Sequence, residues 1–223
     1  MIKAILFDID NTLIDFMTMK KKSCETAVDA MISSGLKIKK EKAMQEVYKI
    51  YDKRGMEYQQ VFQEFIKKVN GNIDYKILAN GIIAYRKIKE TYLVSYSNVL
   101  PTLIELSKKY KLGVISDAPR IQAWIRLVSM KIDPFFKVVI TAADVRKQKT
   151  HAAPFKAALK QLKIKPEEAL MVGDRVQRDI ETAKKLGIKT CFAKYGETKI
   201  SKNGSSGADF EINDINEILK LKL

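Results

Sequence analysis

Over much of the chain, short apolar runs alternate with segments whose apolar residues recur at helical spacing, and this alternation limits the folds that the chain can adopt. The runs are rich in β-branched residues and end in polar ones, which predicts strands at residues 1–7, 112–116, 137–141, 169–173, 189–193 and 208–212. Between them, apolar residues recur at the helical spacing, as in Ile121, Trp124, Ile125 and Val128 and again in Phe155, Ala158, Leu159 and Leu162. Alternating strands and helices predict an α/β fold with a doubly wound, mostly parallel sheet.

Residues 15–92 carry a different pattern, with helical stripes and no strand-like run. Three apolar stripes at helical spacing lie in this segment: Cys24, Ala27, Val28 and Met31; Met44, Val47, Tyr48 and Tyr51; and Tyr58, Val61, Phe62 and Phe65. Breaks fall at residues 33–35, at Gly55 and at residues 70–71. The segment is predicted as a bundle of about four helices, inserted as a separate domain into an α/β domain of residues 1–14 and 93–223.

The charge balance raises the question of a polyanionic partner. The 223 residues include 41 Lys and Arg against 26 Asp and Glu, which gives a formal net charge of +15. The lysines are spread over many helix surfaces, however, and lack the interleaved arginines and aromatics of a nucleic-acid groove. We therefore do not expect a nucleic-acid partner, and we interpret the basic surface as an attraction for small anionic substrates.

Two further features of the sequence bear on the cellular compartment of the protein. No apolar run approaches the roughly 18 residues of a membrane-spanning helix, and Asp8 and Asp10 interrupt the first apolar run, so we expect neither a membrane span nor a signal peptide. Cys24 and Cys191 lie far apart and form no CxxC pair, which is typical of reduced thiols. We expect a cytoplasmic protein that is a monomer or a homodimer.

A pair of acidic residues follows the first predicted strand. Asp8 and Asp10 stand one residue apart, directly after the apolar run. Residues i and i+2 of a strand share a face, so the two like charges would meet in poor solvation and raise each other's proton affinity. A divalent cation removes this conflict, and the carboxyl ends of strands are where open α/β sheets bind ligands. The pair therefore predicts a functional site that holds a cation.

Other polar residues follow later strands in a similar way. Ser116 closes one predicted strand, and Asp117 follows it. Asp174 comes at the end of another strand, and Asp179 follows five residues later. Lys149 lies in a loop before a predicted helix. Each alone has an ordinary structural explanation, such as a turn, a helix cap or a solvated loop. Together they offer oxygens for a hard cation, a hydroxyl and an ammonium for phosphate, and a nucleophile.

In this order the residues resemble the four motifs of the haloacid dehalogenase (HAD) superfamily of phosphohydrolases. The matching motifs are Asp8-x-Asp10-x-Thr12, Ser116, Lys149 and Gly173-Asp174-x-x-x-x-Asp179. The resemblance covers the whole α/β domain and implies the HAD-like Rossmannoid core, with residues 15–92 as the helical cap of that superfamily. It also implies that the first and fourth strands lie side by side, which would bring Asp8 and Asp174 together.

The resemblance implies a role for each motif residue. Asp8 is expected as the nucleophile that forms an aspartyl-phosphate, and Asp10 as the general acid and then the general base. Mg²⁺ is the expected cofactor, held by Asp8, the backbone carbonyl of Asp10, Asp174 and Asp179. The phosphoryl group of the substrate is expected to bind Ser116, Asp117 and Lys149.

The position of the lysine motif leaves an alternative. In related chains the motif lysine is commonly followed by proline, whereas Lys149 is followed by Thr150, and Lys147 competes with it. The distance to the next helix favours Lys149. His151 is the only histidine, and a structural role is expected for it.

The second acidic residue also bears on the reaction. A halide leaves without protonation whereas an alkoxide needs an acid, so Asp10 favours hydrolysis of a small phosphorylated metabolite over haloacid dehalogenation. A phosphomutase and a non-catalytic module that binds nucleic acid or protein are further alternatives. A phosphonate hydrolase would add a Schiff-base lysine, but for residues 20–22 a solvated helix start is preferred. The cap residues expected to face the substrate are Lys20, Tyr48, Tyr51, Arg54 and Tyr58.

Overall fold

The structure is a computed structural model that describes residues 1–196 and 205–223. These residues form two compact units, one made of Met1–Phe16 and Val94–Leu223 and the other of Met17–Leu93. The sequence at residues 203–207 predicts a loop before the last strand; residues 203 and 204 lie outside the described part, and residues 205–208 have no regular structure.

The first unit is built on a parallel sheet, which has six strands within the described residues and the order β3-β2-β1-β4-β5-β6. The strands are β1 (Ala4–Phe7), β2 (Lys111–Ser116), β3 (Phe136–Thr141), β4 (Ala169–Gly173), β5 (Lys189–Ala193) and β6 (Phe210–Ile212). The predicted doubly wound α/β fold is confirmed. Each predicted strand forms, although the first begins only at Ala4 and the last only at Phe210.

The helices of both units follow in chain order. The α-helices are α1 (Phe16–Ser33), α2 (Lys40–Arg54), α3 (Val61–Asn70), α4 (Tyr75–Thr91), α5 (Val99–Ser107), α6 (Arg120–Ser129), α7 (Ala142–Val145), α8 (Ala153–Leu162) and α9 (Glu181–Lys185). Short 3₁₀ segments lie at Asp133–Phe135, Pro166–Glu168, Lys194–Gly196 and Ile215–Lys220, and a π-helical turn lies at Val176–Ile180. Nowhere in the described part of the chain is a helix both long and apolar enough to cross a membrane.

Both faces of the sheet are buried under helices. Successive residues of β1 point to opposite faces, and Ile5 packs in a cluster with Leu103 of α5, whereas Leu6 packs in another with Phe155 of α8. A parallel sheet covered on both sides needs apolar residues on both faces of its strands, which accounts for the continuous apolar runs in the sequence.

Helix α6 lies at its predicted position but turns the other way. Its apolar stripe is exposed to solvent, at Ile121, Trp124, Ile125 and Val128. The buried side instead carries Ala123, Arg126 and Leu127. Helical spacing reveals that a helix has an apolar stripe, but it does not reveal which side packs on the sheet. Here a small residue and an ion-paired arginine occupy the inner side.

The second unit consists of helices, and its residues 17–93 are all described. The helical core contains the predicted stripe residues Cys24, Ala27, Val28 and Met31 together with Val47, Tyr51, Val61, Phe62 and Phe65. Gly55 and Gly71 follow α2 and α3, and both have positive φ angles, of 92° and 79°. These two glycines therefore end their helices in backbone conformations that favour glycine.

Lys20 corrects one expectation for this unit. Lys21 and Lys22 are exposed, as a solvated helix start predicts, but Lys20 is only 5% exposed. Its Nζ donates a hydrogen bond to Tyr85 Oη at 3.0 Å and lies 4.2 Å from the centre of the Tyr51 ring. The aromatic faces attract the ammonium, and this attraction lets a lysine stay inside the helical unit.

Candidate active site

The sheet order places three polar residues of the predicted site at neighbouring strand ends. β1 pairs in parallel with β2 on one side and with β4 on the other. Asp8 follows β1, Ser116 closes β2 and Asp174 follows β4, and all three are buried. These residues therefore meet at the carboxyl edge of the sheet, where parallel strands of open α/β sheets present ligand-binding groups.

The turn after β1 holds the acidic pair in a defined shape. The backbone amide of Ile9 donates to Asp8 Oδ1 at 2.8 Å, and the amide of Leu13 donates to the Ile9 carbonyl at 2.8 Å. Asn11 adopts a left-handed φ of 59°, which asparagine tolerates better than most residues. Its side-chain amide lies 3.5 Å from Asp174 Oδ2, so the turn is tied to the end of β4.

The segment after β5 packs on the same turn. Tyr195 donates its hydroxyl hydrogen to the Thr12 carbonyl at 2.8 Å. A β-carbon at Gly196 would overlap the backbone of Asn11, so only glycine allows this approach. The strand pattern alone did not point to Tyr195 or Gly196, because their role depends on which loop they meet rather than on any local motif.

Three carboxylates form a compact cluster at this edge. One oxygen each from Asp8, Asp174 and Asp179 lies within 4.8 Å of the others, and all three residues are buried. Asp179 is held by the backbone amide of Arg175, which donates to its Oδ2 at 2.9 Å. A side chain at Gly173 would overlap the Asp179 carboxyl, so the glycine makes room for the third acid.

Lys149 lies inside this cluster. Its Nζ is 2.7 Å from Asp8 Oδ1 and 2.6 Å from Asp179 Oδ1, and its side chain is 2% exposed. Burial opposes the charge on Lys149, but the carboxylates of Asp179 and Asp8 outweigh it and raise the pKa of the lysine. Lys149 is therefore a cation. Lys147 and His151 are both exposed on the same loop, so Lys149 is the lysine of this loop that reaches the carboxylates.

Asp117 contacts two other parts of the site. Its Oδ1 accepts a hydrogen bond from the Lys149 backbone amide at 2.8 Å, and its Oδ2 accepts one from Arg178 Nη1 at 3.1 Å. The neighbouring Ser116 Oγ accepts from the Ala118 amide at 3.2 Å. Asp117 thus links the end of β2 to the lysine loop and to the turn that carries Asp179.

Asp10 lies next to an arginine that the sequence pattern did not single out. Arg126 Nε lies 3.2 Å from Asp10 Oδ1, and the Asp10 side chain is 25% exposed while that of Arg126 is 2% exposed. The guanidinium carbon also lies 4.7 Å from the centre of the Phe16 ring. In the sequence Arg126 lies opposite the apolar stripe of α6, where charged residues are ordinary, so no local signal indicated this contact.

The cluster has more negative than positive charge. Burial, together with the charges of Asp8 and Asp179, raises the pKa of Asp174 to about 8. Burial also raises the pKa of Asp179, although the Lys149 ammonium acts against that shift. The three carboxylates are thus met by the Lys149 ammonium and by the more exposed Arg175 guanidinium, whose Nε lies 3.6 Å from Asp174 Oδ2, and the remaining excess of negative charge favours protonation of the acids in the protein alone.

These groups fit a divalent cation. Asp174 Oδ1 is buried and has no hydrogen-bond partner among the described residues, so it is available as a ligand atom. Carboxylate oxygens are the donors that Mg²⁺ prefers, and its two positive charges would offset the excess negative charge. Asp8, Asp174 and Asp179 are therefore suited to hold Mg²⁺.

Comparisons with known proteins identify the family of the chain. The sequence profile of the haloacid dehalogenase-like hydrolase family matches residues 5–193. A glyceraldehyde 3-phosphate phosphatase of Methanocaldococcus jannaschii is 38% identical over 99% of this chain and 97% of its own, and one of Pyrococcus furiosus is 32% identical over 99% and 92%. A crystal structure of a HAD phosphatase from Thermococcus onnurineus, 27% identical, superposes with a TM-score of 0.69 over 98% of this chain and 97% of its own.

The chain belongs to the haloacid dehalogenase-like hydrolase family. The resemblance that rested on four short motifs is thereby confirmed, and so is the prediction of a phosphatase rather than a dehalogenase.

Proposed function

We propose that this enzyme is a Mg²⁺-dependent phosphatase that hydrolyses a small phosphorylated metabolite through an aspartyl-phosphate on Asp8. The observation that supports this most strongly is the buried cluster at the carboxyl edge of the sheet, where Lys149 contacts both Asp8 and Asp179 and Asp174 lies beside them. Such a cluster is costly to fold without a function, because like charges repel strongly where water is excluded.

Two steps account for the chemistry. In the first, a carboxylate oxygen of Asp8 attacks the phosphorus, the bond to the ester oxygen breaks, and Asp10 gives its proton to the departing oxygen. In the second, water attacks the phosphorus of the aspartyl-phosphate while Asp10 accepts a proton from that water. The bond between phosphorus and the Asp8 oxygen breaks, which releases inorganic phosphate and restores the Asp8 carboxylate. Asp10 is suited to this exchange because its side chain is partly exposed.

The remaining motif residues bind and orient the phosphoryl group. We propose that the Lys149 ammonium and the Ser116 hydroxyl contact its oxygens, where they stabilise the charge that develops in the transition state. Asp117 was expected among these substrate ligands. Because both of its oxygens accept hydrogen bonds from Lys149 and Arg178, we propose instead that it fixes the lysine loop.

Mg²⁺ would be held by the carboxylates of Asp8, Asp174 and Asp179 and by the backbone carbonyl of Asp10. When bound, the cation neutralises charge on the nucleophile and on the phosphoryl group. The buried Asp174 Oδ1 supports this assignment, since its hydrogen-bonding capacity is unused among the residues described.

We further propose glyceraldehyde 3-phosphate, or a phosphate of similar size, as the substrate. The support is that two relatives aligned over 99% of the chain carry the name glyceraldehyde 3-phosphate phosphatase. The helical unit follows Asp10 within a few residues of the chain, and we propose that it acts as the cap that selects this substrate. Cys24 and Cys191 are both free and buried, which fits the cytoplasmic location that we propose.

The test is release of inorganic phosphate from glyceraldehyde 3-phosphate, phosphoglycolate, a hexose phosphate and 4-nitrophenyl phosphate, in Mg²⁺ and in EDTA. Wild type should release phosphate only with Mg²⁺, and Asp8→Asn should be inactive. Turnover that persists in Asp8→Asn would contradict the aspartyl-phosphate. No turnover of any substrate, together with tight and salt-sensitive binding of DNA or RNA, would favour a binding module instead.

A further inference from the structure

Arg126 lies where an apolar side chain would be expected. It is on the buried side of α6 with Ala123 and Leu127, and its side chain is 2% exposed. Burial of a guanidinium is unfavourable unless a charged partner compensates, and an apolar residue of similar length would fill the same space without that penalty. The presence of an arginine here therefore needs an explanation beyond packing.

Arg126 contacts the segment that follows β1 at two points. Its Nε lies 3.2 Å from Asp10 Oδ1, and its guanidinium carbon lies 4.7 Å from the centre of the Phe16 ring. Asp10 and Phe16 belong to the short segment that leaves β1. The ion pair and the cation–π contact thus place the arginine against the same segment that carries the proposed general acid.

The other arginine of α6 provides a comparison. Arg120 pairs with Asp144 at 2.5 Å, but its side chain is 57% exposed, so water screens that pair. Two arginines on one helix thus form ion pairs in opposite environments. Only the buried pair includes a residue of the proposed catalytic set.

We propose that Arg126 is a positioning residue for Asp10, which it holds in the orientation that proton transfer requires. The inference rests on the proposed function, in which Asp10 protonates the leaving oxygen and later accepts a proton from water. The guanidinium lies against Oδ1 and so restricts the rotation of the carboxyl. Loss of this contact would weaken the restraint on the carboxyl and lower the fraction of productive geometries.

The readout is the dependence of kcat/KM on the leaving group. An alkyl phosphate needs the acid, whereas 4-nitrophenyl phosphate has a leaving group that departs with little protonation. Arg126→Met should lower kcat/KM for the alkyl phosphate by about 10²-fold and that for 4-nitrophenyl phosphate by less than about threefold. Arg126→Lys, which keeps a cation, should recover at least about tenfold of the alkyl activity. Arg120→Met, the matched control on the same helix, should change neither.

Asp10→Asn separates this inference from the proposed function. If Asp10→Asn itself lowers kcat/KM equally for the alkyl phosphate and for 4-nitrophenyl phosphate, the general-acid role of Asp10 is wrong. If Asp10→Asn lowers kcat/KM mainly for the alkyl phosphate, but Arg126→Met lowers it equally for both substrates or for neither, the positioning role is overturned. When Arg126→Met is combined with Asp10→Asn, it should lower kcat/KM for the alkyl phosphate by less than about a further threefold, because the effects of residues that act through one another are not additive.

If Arg126→Met does not fold, two milder substitutions at the same position still test the proposal. Arg126→Gln and Arg126→Lys are smaller disturbances, and their alkyl-to-aryl activity ratios can be measured on the soluble protein. A ratio that falls in Arg126→Gln and is restored in Arg126→Lys supports the positioning role. A ratio equal to that of wild type in both variants contradicts it.

Discussion

The Nζ atom of Lys149 lies 2.7 Å from Oδ1 of Asp8, the residue that we propose as the nucleophile. The same ammonium lies 2.6 Å from Asp179, so one cation serves two buried carboxylates. In the protein alone this contact offsets part of the repulsion within the acidic cluster. In the proposed function the phosphoryl group would bring its own negative oxygens to Asp8, and the Lys149 ammonium would attract them.

Replacement of this lysine should be far more damaging than replacement of its neighbour. Lys149→Ala should lower kcat/KM for phosphate monoesters by at least about 10²-fold, because a buried charge that stabilises the transition state is lost. Lys147→Ala should change it by less than about twofold, because Lys147 is exposed. Steady-state phosphate release measures both. A larger loss in Lys147→Ala than in Lys149→Ala would place the lysine motif two residues earlier.

Removal of the nucleophile should spare the fold. Asp8→Asn is expected to abolish turnover, because an amide does not attack the phosphorus, while its thermal midpoint in EDTA should match or exceed that of wild type, because one of three clustered carboxylates is gone. Phosphate release and differential scanning fluorimetry give the two values. Residual activity above about 1% of wild type would argue against Asp8 as the nucleophile, and a collapsed midpoint would show a structural role.

Much of this architecture could be predicted from local sequence. The apolar runs of the strands and the four polar motifs are short and local, so the sequence pattern located the strands. The resemblance to a family indicated that Asp8 and Asp174 would meet. The order of the strands then brought them together at one edge of the sheet. Lys149 could be preferred over Lys147 for the same reason, since its distance from the next helix is a local quantity.

Other features depend on contacts between distant segments, and local patterns do not encode these. The apolar stripe of α6 correctly predicted a helix but not its inner side, because the side that packs is set by contacts with distant segments, such as that between Arg126 and Asp10. Lys20 resembled its exposed neighbours in sequence, yet two tyrosines from other helices enclose it. Gly196 is required because the Asn11 backbone approaches it, and its sequence position does not show this.

The glycine before Asp174 should be needed for the cation site. A β-carbon at Gly173 overlaps the carboxyl of Asp179, so Gly173→Ala should displace that acid. We expect a loss of about 1–3 kcal/mol in the free energy of unfolding, as for other overpacked cores, together with weaker Mg²⁺ binding. Chemical denaturation and the Mg²⁺-induced shift of the thermal midpoint measure these two effects.

Gly113→Ala is the matched control for that variant. Its β-carbon would lie 2.7 Å from Val138 Cγ1, within the packed core rather than against an acid of the cluster. It should therefore lose similar stability but keep the Mg²⁺-induced shift. Equal loss of the shift in both variants would mean that general destabilisation, and not displacement of Asp179, weakens the cation site.

Stability should depend on pH and Mg²⁺ together. In the protein alone the pKa of Asp174 is raised to about 8, mainly by burial and then by the charges of Asp8 and Asp179. An acid with a raised folded pKa contributes stability that is complete below its unfolded pKa of about 4 and is lost as the pH rises through its folded pKa. In EDTA the thermal midpoint should therefore decline between about pH 4 and pH 8 and level off at higher pH.

Mg²⁺ should remove most of that decline, because the cation takes the place of the proton on the acidic cluster. The Mg²⁺-induced rise in the thermal midpoint should thus be larger near pH 9 than near pH 6. Asp174→Asn should flatten the pH profile in EDTA and abolish most of the Mg²⁺ effect, whereas Glu105→Gln, which removes an exposed acid of α5, should alter neither. If Mg²⁺ raised the midpoint equally at both pH values in wild type, the cation would not be displacing a proton from Asp174, and the ligand set that we propose would need to exclude it.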